Sequence, residues 1–281
     1  PLVLTAAVQV ETDLPDTDGA RAAAPEAAGE DRTRTVVGPL AELRWDPTDA
    51  WMLRGTVARR GRIPTLSERY SSRLGFTRAN PGLQPEIAWY FSADAAYRPT
   101  PELCVELTAF DAELDRMIDE QYVAETNGVT QKRNLGRARI AGAEAGLGWR
   151  PIDALEVRAA YAFLHARRLG AKLEDDRIAQ VPSHQAVLGL TGRPWRPLEL
   201  STTLRVVGPQ AFIDYNILGL GKLGTYAVWD ARAEVVVRPG LRVWLRGTNL
   251  LDMNYQTKYG YPDRGLAFWV GMRVAVPGGA G

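Results

Sequence analysis

Hydrophobic and polar residues alternate with a period of two along most of this chain. From Gly265 to Val276, the residues Leu266, Phe268, Val270, Met272, Val274 and Val276 share one face, and Ala267, Trp269, Gly271, Arg273 and Ala275 share the other. Ala227, Trp229, Ala231, Ala233, Val235 and Val237 alternate with Asp230, Arg232 and Glu234. Leu198, Leu200, Thr202, Leu204 and Val206 alternate with Glu199, Ser201, Thr203 and Arg205. Upstream, Ile87, Trp89, Phe91, Ala93, Ala95 and Tyr97 oppose Glu86, Tyr90, Ser92 and Asp94. Successive side chains of a strand point to opposite faces, so the pattern predicts strands with one apolar face. About twelve are expected, near 1–10, 34–45, 50–60, 85–98, 101–113, 130–150, 154–166, 184–194, 198–208, 225–238, 240–249 and 265–276.

A soluble sandwich also alternates, and the connections discriminate better. Short turns recur at Asp46–Asp49, Arg98–Pro101, Arg150–Asp153, Pro194–Pro197 and Arg238–Gly240. Their prolines fix φ and cannot donate to a sheet ladder. Long polar connections fall between them, at 61–84, 113–130, 167–183, 209–224 and 251–264. Residues 11–33, rich in Ala, Asp, Glu and Gly, are expected to form a mobile external loop. Strict alternation of short and long connections is the asymmetry of an outer-membrane barrel. Segments of ~10–14 residues suit tilted membrane strands, whereas strands of globular domains usually have ~5–6. Trp45, Trp51, Tyr97, Trp149 and Trp195 lie beside the short turns, as an interfacial girdle would.

Composition narrows the partners. The 281 residues carry 34 Lys and Arg against 33 Asp and Glu, well mixed, so nothing points to nucleic acid. No run reaches the ~18 apolar residues of a spanning helix. Cys104 is the single cysteine, which leaves no internal disulfide and no cysteine-rich metal site. The chain begins at Pro1 with no basic and apolar leader, so it is expected to be part of a longer protein.

Enzymatic and metal readings find little support. His165 and His184 are the only histidines. Ser183 adjoins His184, but neighbours on a strand face opposite ways. Neither histidine has a His, Cys or paired carboxylate at ligand spacing. Glu174, Asp175 and Asp176 form an acidic cluster that reads as a solvated charge run rather than a calcium site. No catalytic residue, cofactor or metal is expected.

Four motifs, in order, resemble a known family. Pro64, Glu68 and Tyr70 stand in the stretch Arg60–Tyr70, which looks like the segment after a mid-barrel strand of TonB-dependent outer-membrane receptors. Asn80, Pro81 and Glu86 are similar to that family's Asn-Pro-x-Leu-x-Pro-Glu lead into the next strand. Asn134, Gly136, Gly142 and Glu144 resemble its Asn-x-Gly and Gly-x-Glu strand, and Asn249, Leu250, Asp252 and Tyr255 its Asn-Leu-Leu-Asp-x-x-Tyr signature. By their chemistry these residues shape strands and turns. Asn249 and Asp252 can bond nearby backbone, and Gly142, Gly146 and Gly148 free space where a lumen needs it.

The resemblance implies an all-β, antiparallel transmembrane β-barrel, about 12 strands seen of an expected ~22, without the plug domain. Residues 1–276 are then the C-terminal portion of the barrel and 277–281 a disordered tail. It implies residence in the outer membrane of a Gram-negative bacterium, against outer-membrane lipid. It also implies uptake of a scarce ligand (a ferric siderophore, another iron chelate, haem or cobalamin), energised by the TonB–ExbB–ExbD complex acting through the plug. Candidate ligand contacts are Tyr215, Tyr259 and Tyr261 for aromatic surface, with Arg167, Arg168 and Arg264 for anionic chelates. The rival expectation is a complete twelve-stranded channel or secretion pore, which requires the first and last strands to pair.

Overall fold

A computed structural model describes residues 1–14, 32–71, 76–123, 129–170, 176–214 and 219–275. The elements run β1 (Leu2–Asp13), β2 (Arg34–Thr48), β3 (Trp51–Arg62), the one-turn helix α1 (Leu66–Tyr70), β4 (Thr77–Arg78), β5 (Glu86–Thr100) and β6 (Leu103–Asp115). Next come β7 (Ile118–Tyr122), β8 (Thr130–Asn134), β9 (Arg137–Ile152), β10 (Leu155–Leu169), β11 (His184–Trp195) and β12 (Leu198–Val207). The last are β13 (Gln210–Asp214), β14 (Gly219–Leu223), β15 (Tyr226–Arg238), β16 (Leu241–Thr248), β17 (Gln256–Lys258), β18 (Tyr261–Pro262) and β19 (Ala267–Val274).

Twelve strands form one antiparallel sheet in the order β1-β2-β3-β5-β6-β9-β10-β11-β12-β15-β16-β19. Each is hydrogen-bonded to its neighbours in sequence, skipping only the small elements of the long connections. Tight turns join β2 to β3, β5 to β6, β9 to β10, β11 to β12 and β15 to β16. The other connections are all long and gather at the opposite end. Among the described residues β1 and β19 do not pair with each other, so the closure that a complete twelve-stranded channel requires is not seen.

The sequence reading placed one strand over 130–150, and the structure divides it. Gly136 takes φ +103°, a left-handed conformation that breaks the strand between Asn134 and Arg137. The long connections, read as polar loops, hold three small sheets (β13–β14, β17–β18 and β4-β8-β7) and α1.

Register keeps the two faces chemically distinct across the whole sheet. One row reads Leu53, Ala95, Leu107, Ala145, Tyr161, Ala186, Val206 and Ala227, each opposite the next. The row beside it, on the other face, reads Arg54, Asp94, Thr108, Glu144, Ala162, Gln185, Val207 and Tyr226. A slip of one residue in any pairing would exchange the faces.

Large apolar side chains of the first face lie open: Leu4 is 72% exposed, Phe268 61% and Val270 74%. A soluble protein rarely exposes so large a contiguous apolar surface. The buried side chains gather instead at the long-loop end, where Val207, Tyr226 and Val228 form a small cluster covered by Tyr255. Gly142 lies on the polar face, and a Cβ there would come within 2.6 Å of the Phe110 ring and 2.5 Å of the Phe163 carbonyl oxygen.

The face assignment is testable by moving one charge by one residue. Leu188 lies on the apolar face, opposite Ala159 and Leu204, while Val187 faces the other way. In lipid vesicles, Leu188→Arg is expected to cost about 2–4 kcal/mol, as an arginine in the lipid band does. Val187→Arg should cost under about 0.5 kcal/mol. Guanidinium unfolding followed by tryptophan fluorescence compares the two, and equal costs would contradict the assignment.

Candidate functional site

The long connections are tied to one another in series. The first tie sits where β3 hands over to α1. Thr65 caps the helix: its hydroxyl accepts from the Glu68 N–H at 3.2 Å, and the Glu68 carboxylate accepts from the Thr65 N–H at 2.9 Å. Arg62 donates to Glu68 at 2.7 Å and to Glu86 at 2.6 Å, and the other Glu86 oxygen accepts from the Ile118 N–H at 2.5 Å. One arginine and two glutamates thus fix α1, the start of β5 and the loop after β6 together.

Behind them lies a buried knot. Arg34 is 3% exposed; its Nε donates to the Leu83 carbonyl at 2.7 Å and its Nη2 to the Pro81 carbonyl. Arg69, 2% exposed, pairs with Asp13 at 3.0 Å, with its guanidinium 5.2 Å from the Tyr70 ring centre. Pro64 and Pro81 are fully buried in the same region.

Two asparagines then carry the 63–85 connection onto the 116–136 connection. Asn80 Nδ2 donates to the Lys132 carbonyl at 2.7 Å. Asn134 accepts from the Gln84 N–H at 2.9 Å and donates to the carbonyls of Gln84, at 2.9 Å, and Arg116, at 2.8 Å. The side-chain amide mimics a strand partner, so Gln84 is held as if in a ladder. β4 pairs with β8 alongside, in parallel.

The series continues around the sheet. Arg168, at the end of β10, pairs with Asp119 of β7 at 2.5 Å. Arg167 pairs with Asp176 at 2.6 Å. The Gln180 N–H donates to the Ala211 carbonyl at 2.7 Å, joining the 170–183 connection to β13. Gln210 Nε2 donates to the Thr257 carbonyl at 2.9 Å, and Phe212 stacks on Tyr259 with ring centres 3.8 Å apart. The ties run from β3 through to β19, and all but Arg167–Asp176, which holds the β10–β11 connection to its own strand, join one connection to another.

The last knot belongs to Asn249, which is 2% exposed and takes φ +49°. Its N–H donates to Asp230 at 2.9 Å, and its side chain exchanges 2.9 Å bonds with the Met253 N–H and carbonyl. Its Nδ2 also reaches the Arg264 carbonyl at 3.2 Å. Asp252, at φ +47°, accepts from the Leu266 N–H at 2.9 Å and sets the start of β19. The Leu250 N–H donates to the Trp229 carbonyl at 2.7 Å, and Tyr255 stacks on Tyr226 at 4.6 Å.

The polar face below carries paired charges. Arg54 donates to Asp94 at 3.2 Å, and Thr108 to the same carboxylate at 2.8 Å. Arg98 pairs with Glu106 at 2.6 Å, Arg193 with Glu199 at 2.8 Å, and Glu234 with both Arg232 and Arg242. Gly146 and Gly148 thin the wall beside Cys104, Glu106 and Arg158, leaving a groove of about 420 Å³.

Of the expected ligand contacts, the structure brings Tyr259, Tyr261 and Arg264 onto one connection. Tyr261 is 67% exposed, with the Lys258 amine 5.4 Å from its ring centre; Arg264 lies 5.8 Å over Trp269. Arg167 and Arg168 end β10, separated from that group by β11, β12, β15 and β16. Arg167 falls on the apolar face and Arg168 on the polar one. Tyr215, residues 277–281, Glu174, Asp175 and most of the expected 11–33 loop lie outside the described residues. Sequence reasoning missed Asp119, Gln180, Gln210 and Phe212, which join the connections. Only α1 had a readable signal, the Thr65-x-x-Glu68 capping box.

A twelve-stranded sheet with an apolar outer face, short turns at one end and tied long loops at the other is the wall of an outer-membrane β-barrel. The family described as TonB dependent receptor-like, beta-barrel matches residues 1–250, and the chain belongs to it. A Vibrio cholerae relative, the iron-regulated outer membrane virulence protein, is 25% identical over 82% of this chain and 38% of its own length. The solved copper transporter OprC superposes with a TM-score of 0.72 at 20% identity, covering 86% of this chain and 40% of that one. The FrpB iron transporter from Neisseria meningitidis gives 0.72 at 17% identity, over 97% and 43%. The chain thus spans about two fifths of the length of the proteins it matches. Those proteins are receptors and transporters, not enzymes, and the chain's place is the outer membrane of a Gram-negative bacterium.

Two outcomes follow from the knots. Asn249→Ala leaves the Met253 and Arg264 carbonyls without their donor and the Met253 N–H without its acceptor, and should cost about 2–3 kcal/mol. The 249–266 segment should then be cut faster by added protease than in the wild type, and unchanged cutting would contradict the role. Glu68 gives a pH dependence. Burial opposes its charge, but bonds from Arg62 and Thr65 outweigh burial and hold its carboxyl below the ordinary range. Its folded pKa therefore lies under the unfolded one, so its contribution is complete above about pH 4.3 and is lost as pH falls through the folded value. Hydrogen exchange at residues 62–71, corrected for intrinsic rates, should keep its protection from pH 7 to 5 and lose it towards pH 3.

Proposed function

We propose that residues 1–276 form the C-terminal portion of the barrel of a receptor that takes up a scarce ligand across the outer membrane, energised by the TonB–ExbB–ExbD complex acting through a plug. The observation that carries this reading is the series of tied loops. A passive pore needs a mouth, whereas a receptor needs a rigid surface on which to capture a ligand from dilution. A surface held by buried asparagines and arginines loses less conformational entropy on binding than free loops would. The family membership and the names of the iron-linked relative and neighbour support an iron chelate as cargo, with haem and cobalamin as the other members of the class.

The capture surface in this reading is the 256–264 connection. Tyr259 is stacked on Phe212 and so presents one rigid face, while Tyr261, Lys258 and Arg264 add an exposed ring and two cations. Aromatic faces beside cations suit a planar, anionic chelate. Tyr215 remains a candidate from the neighbouring connection. Arg168 acts as the tie to Asp119, and Arg167 lies away from the lumen.

The test is growth on a ferric chelate as sole iron source. Deleting the gene should abolish growth on the cognate chelate, as should loss of TonB, and a copy carrying Tyr261→Ala with Arg264→Gln should need roughly tenfold more chelate, by analogy with loss of two contacts of ~0.7 kcal/mol each. Growth that is independent of TonB would overturn energised uptake.

A further inference from the structure

A glycine on one connection sets how an aromatic ring on another is presented. In the β13–β14 hairpin Phe212 stands directly opposite Gly221. The tip of the Phe212 ring lies over the bare Cα of Gly221: a Cβ there would come within 2.2 Å of its Cζ and 2.6 Å of its Cε1. Tyr259 then covers Phe212, with ring centres 3.8 Å apart and planes 12° from parallel. Phe212 is 7% exposed and Tyr259 44%, so the lower ring is enclosed and the upper one keeps a face open.

The backbone under Tyr259 is held by other contacts. Gln210 Nε2 reaches the Thr257 carbonyl, the Thr257 N–H donates to Asp263 at 2.8 Å, and the Gly260 N–H donates to the Gln256 side chain at 2.8 Å. None of these bonds involves the Tyr259 ring, so the stack on Phe212 is what orders that side chain.

A Cβ at position 221 would meet the far end of a side chain and not backbone. The cheap response is for Phe212 to turn aside, which leaves the hairpin in place and Tyr259 without support. Gly224, just past β14, is the contrast, because a Cβ there meets nothing within 4 Å.

We infer that Gly221 is a positioning residue: through Phe212 it holds Tyr259 as a fixed aromatic face, and the ligand class that this face receives is an aryl-bearing anionic chelate, a catecholate or phenolate rather than an aliphatic one. The inference rests on the reading of the 256–264 connection as the capture surface. A ligand ring stacks offset on an aromatic face, and it gains most where that face is ordered beforehand, since each side chain immobilised on binding costs affinity. Lys258 and Arg264 answer the ligand's charge while the held ring answers its aryl group. The two contributions are therefore separable.

The test uses the full receptor in detergent micelles with 3-fluorotyrosine at position 259. Stacking on Phe212 should shift the fluorine resonance away from its value in the unfolded protein. Gly221→Ala and Phe212→Leu should each move it back, and Gly224→Ala should leave it in place. Equilibrium dialysis then compares a ferric tris-catecholate with tris(oxalato)chromate, which has the same charge and no ring. The wild type should bind the tris-catecholate more tightly. Gly221→Ala should weaken that binding roughly three- to tenfold, as the ordering of one side chain costs, and leave binding of the oxalate complex unchanged. Equal weakening of both would mark general damage and overturn the positioning role. An unmoved fluorine resonance in Gly221→Ala would overturn Gly221 as the seat of the ring. Equal binding of the two complexes by the wild type would overturn the aryl class. Binding of neither would overturn the capture surface itself, and the fluorine resonance would still decide the role of Gly221.

Discussion

Every backbone N–H and C=O in a bilayer's hydrocarbon must find a partner within the protein, because no water is there to supply one. An antiparallel sheet meets that demand through its ladder, and the ladder binds the rest of this structure to a single register. Eleven pairings connect the twelve strands. Each must keep the apolar row in step, since one slip turns Leu107 or Leu204 inward and Glu106 or Arg205 towards lipid. The short turns enforce this. With few residues between paired strands there is little slack in which a register could shift, and all five carry an irregular step where the strands meet the turn.

The other end is free of that constraint, and there the chain does something else. Its long connections bury a few apolar side chains, Leu83 and Phe212 among them, but that burial leaves their backbone groups still in need of partners. They are ordered by side chains that imitate backbone: Asn134 completes a ladder for Gln84, Asn249 closes a turn on Met253, and Thr65 with Glu68 supplies the missing partners of α1. Buried arginines add carbonyl contacts that only a multi-donor side chain can make, as Arg34 does with Leu83 and Pro81. The result is a row of linked loops over a wall of paired charges, which is the form a capture surface requires.

The wall was almost wholly legible in the sequence. Period-two alternation, proline-marked turns and the short-long alternation of connections located eleven of the twelve sheet strands to within a few residues at both ends. The one divided strand, at Gly136, failed because a left-handed glycine leaves no trace in hydrophobic period. The motifs were legible as motifs, but their geometry was not: nothing in the spacing of Asn80 and Asn134 tells that both hold the same pair of loops. Arg168 read as a free cation for a ligand because its partner, Asp119, lies 49 residues away on another connection. Long-range pairs carry no periodic signal, and the ties from Gln180 to Ala211, Gln210 to Thr257 and Phe212 to Tyr259 were invisible for the same reason.

The most direct test of this account is a scan of side-chain environment along β12. With Cys104→Ser as background, single cysteines at positions 199 to 206 would carry a nitroxide label in the chain reconstituted in lipid vesicles. The account predicts that oxygen accessibility, which is high in lipid, peaks at 200, 202, 204 and 206, and that accessibility to a water-soluble nickel chelate is never highest there. A profile with a period of 3.6, or aqueous accessibility at every position, would contradict a membrane-spanning strand and with it the barrel wall.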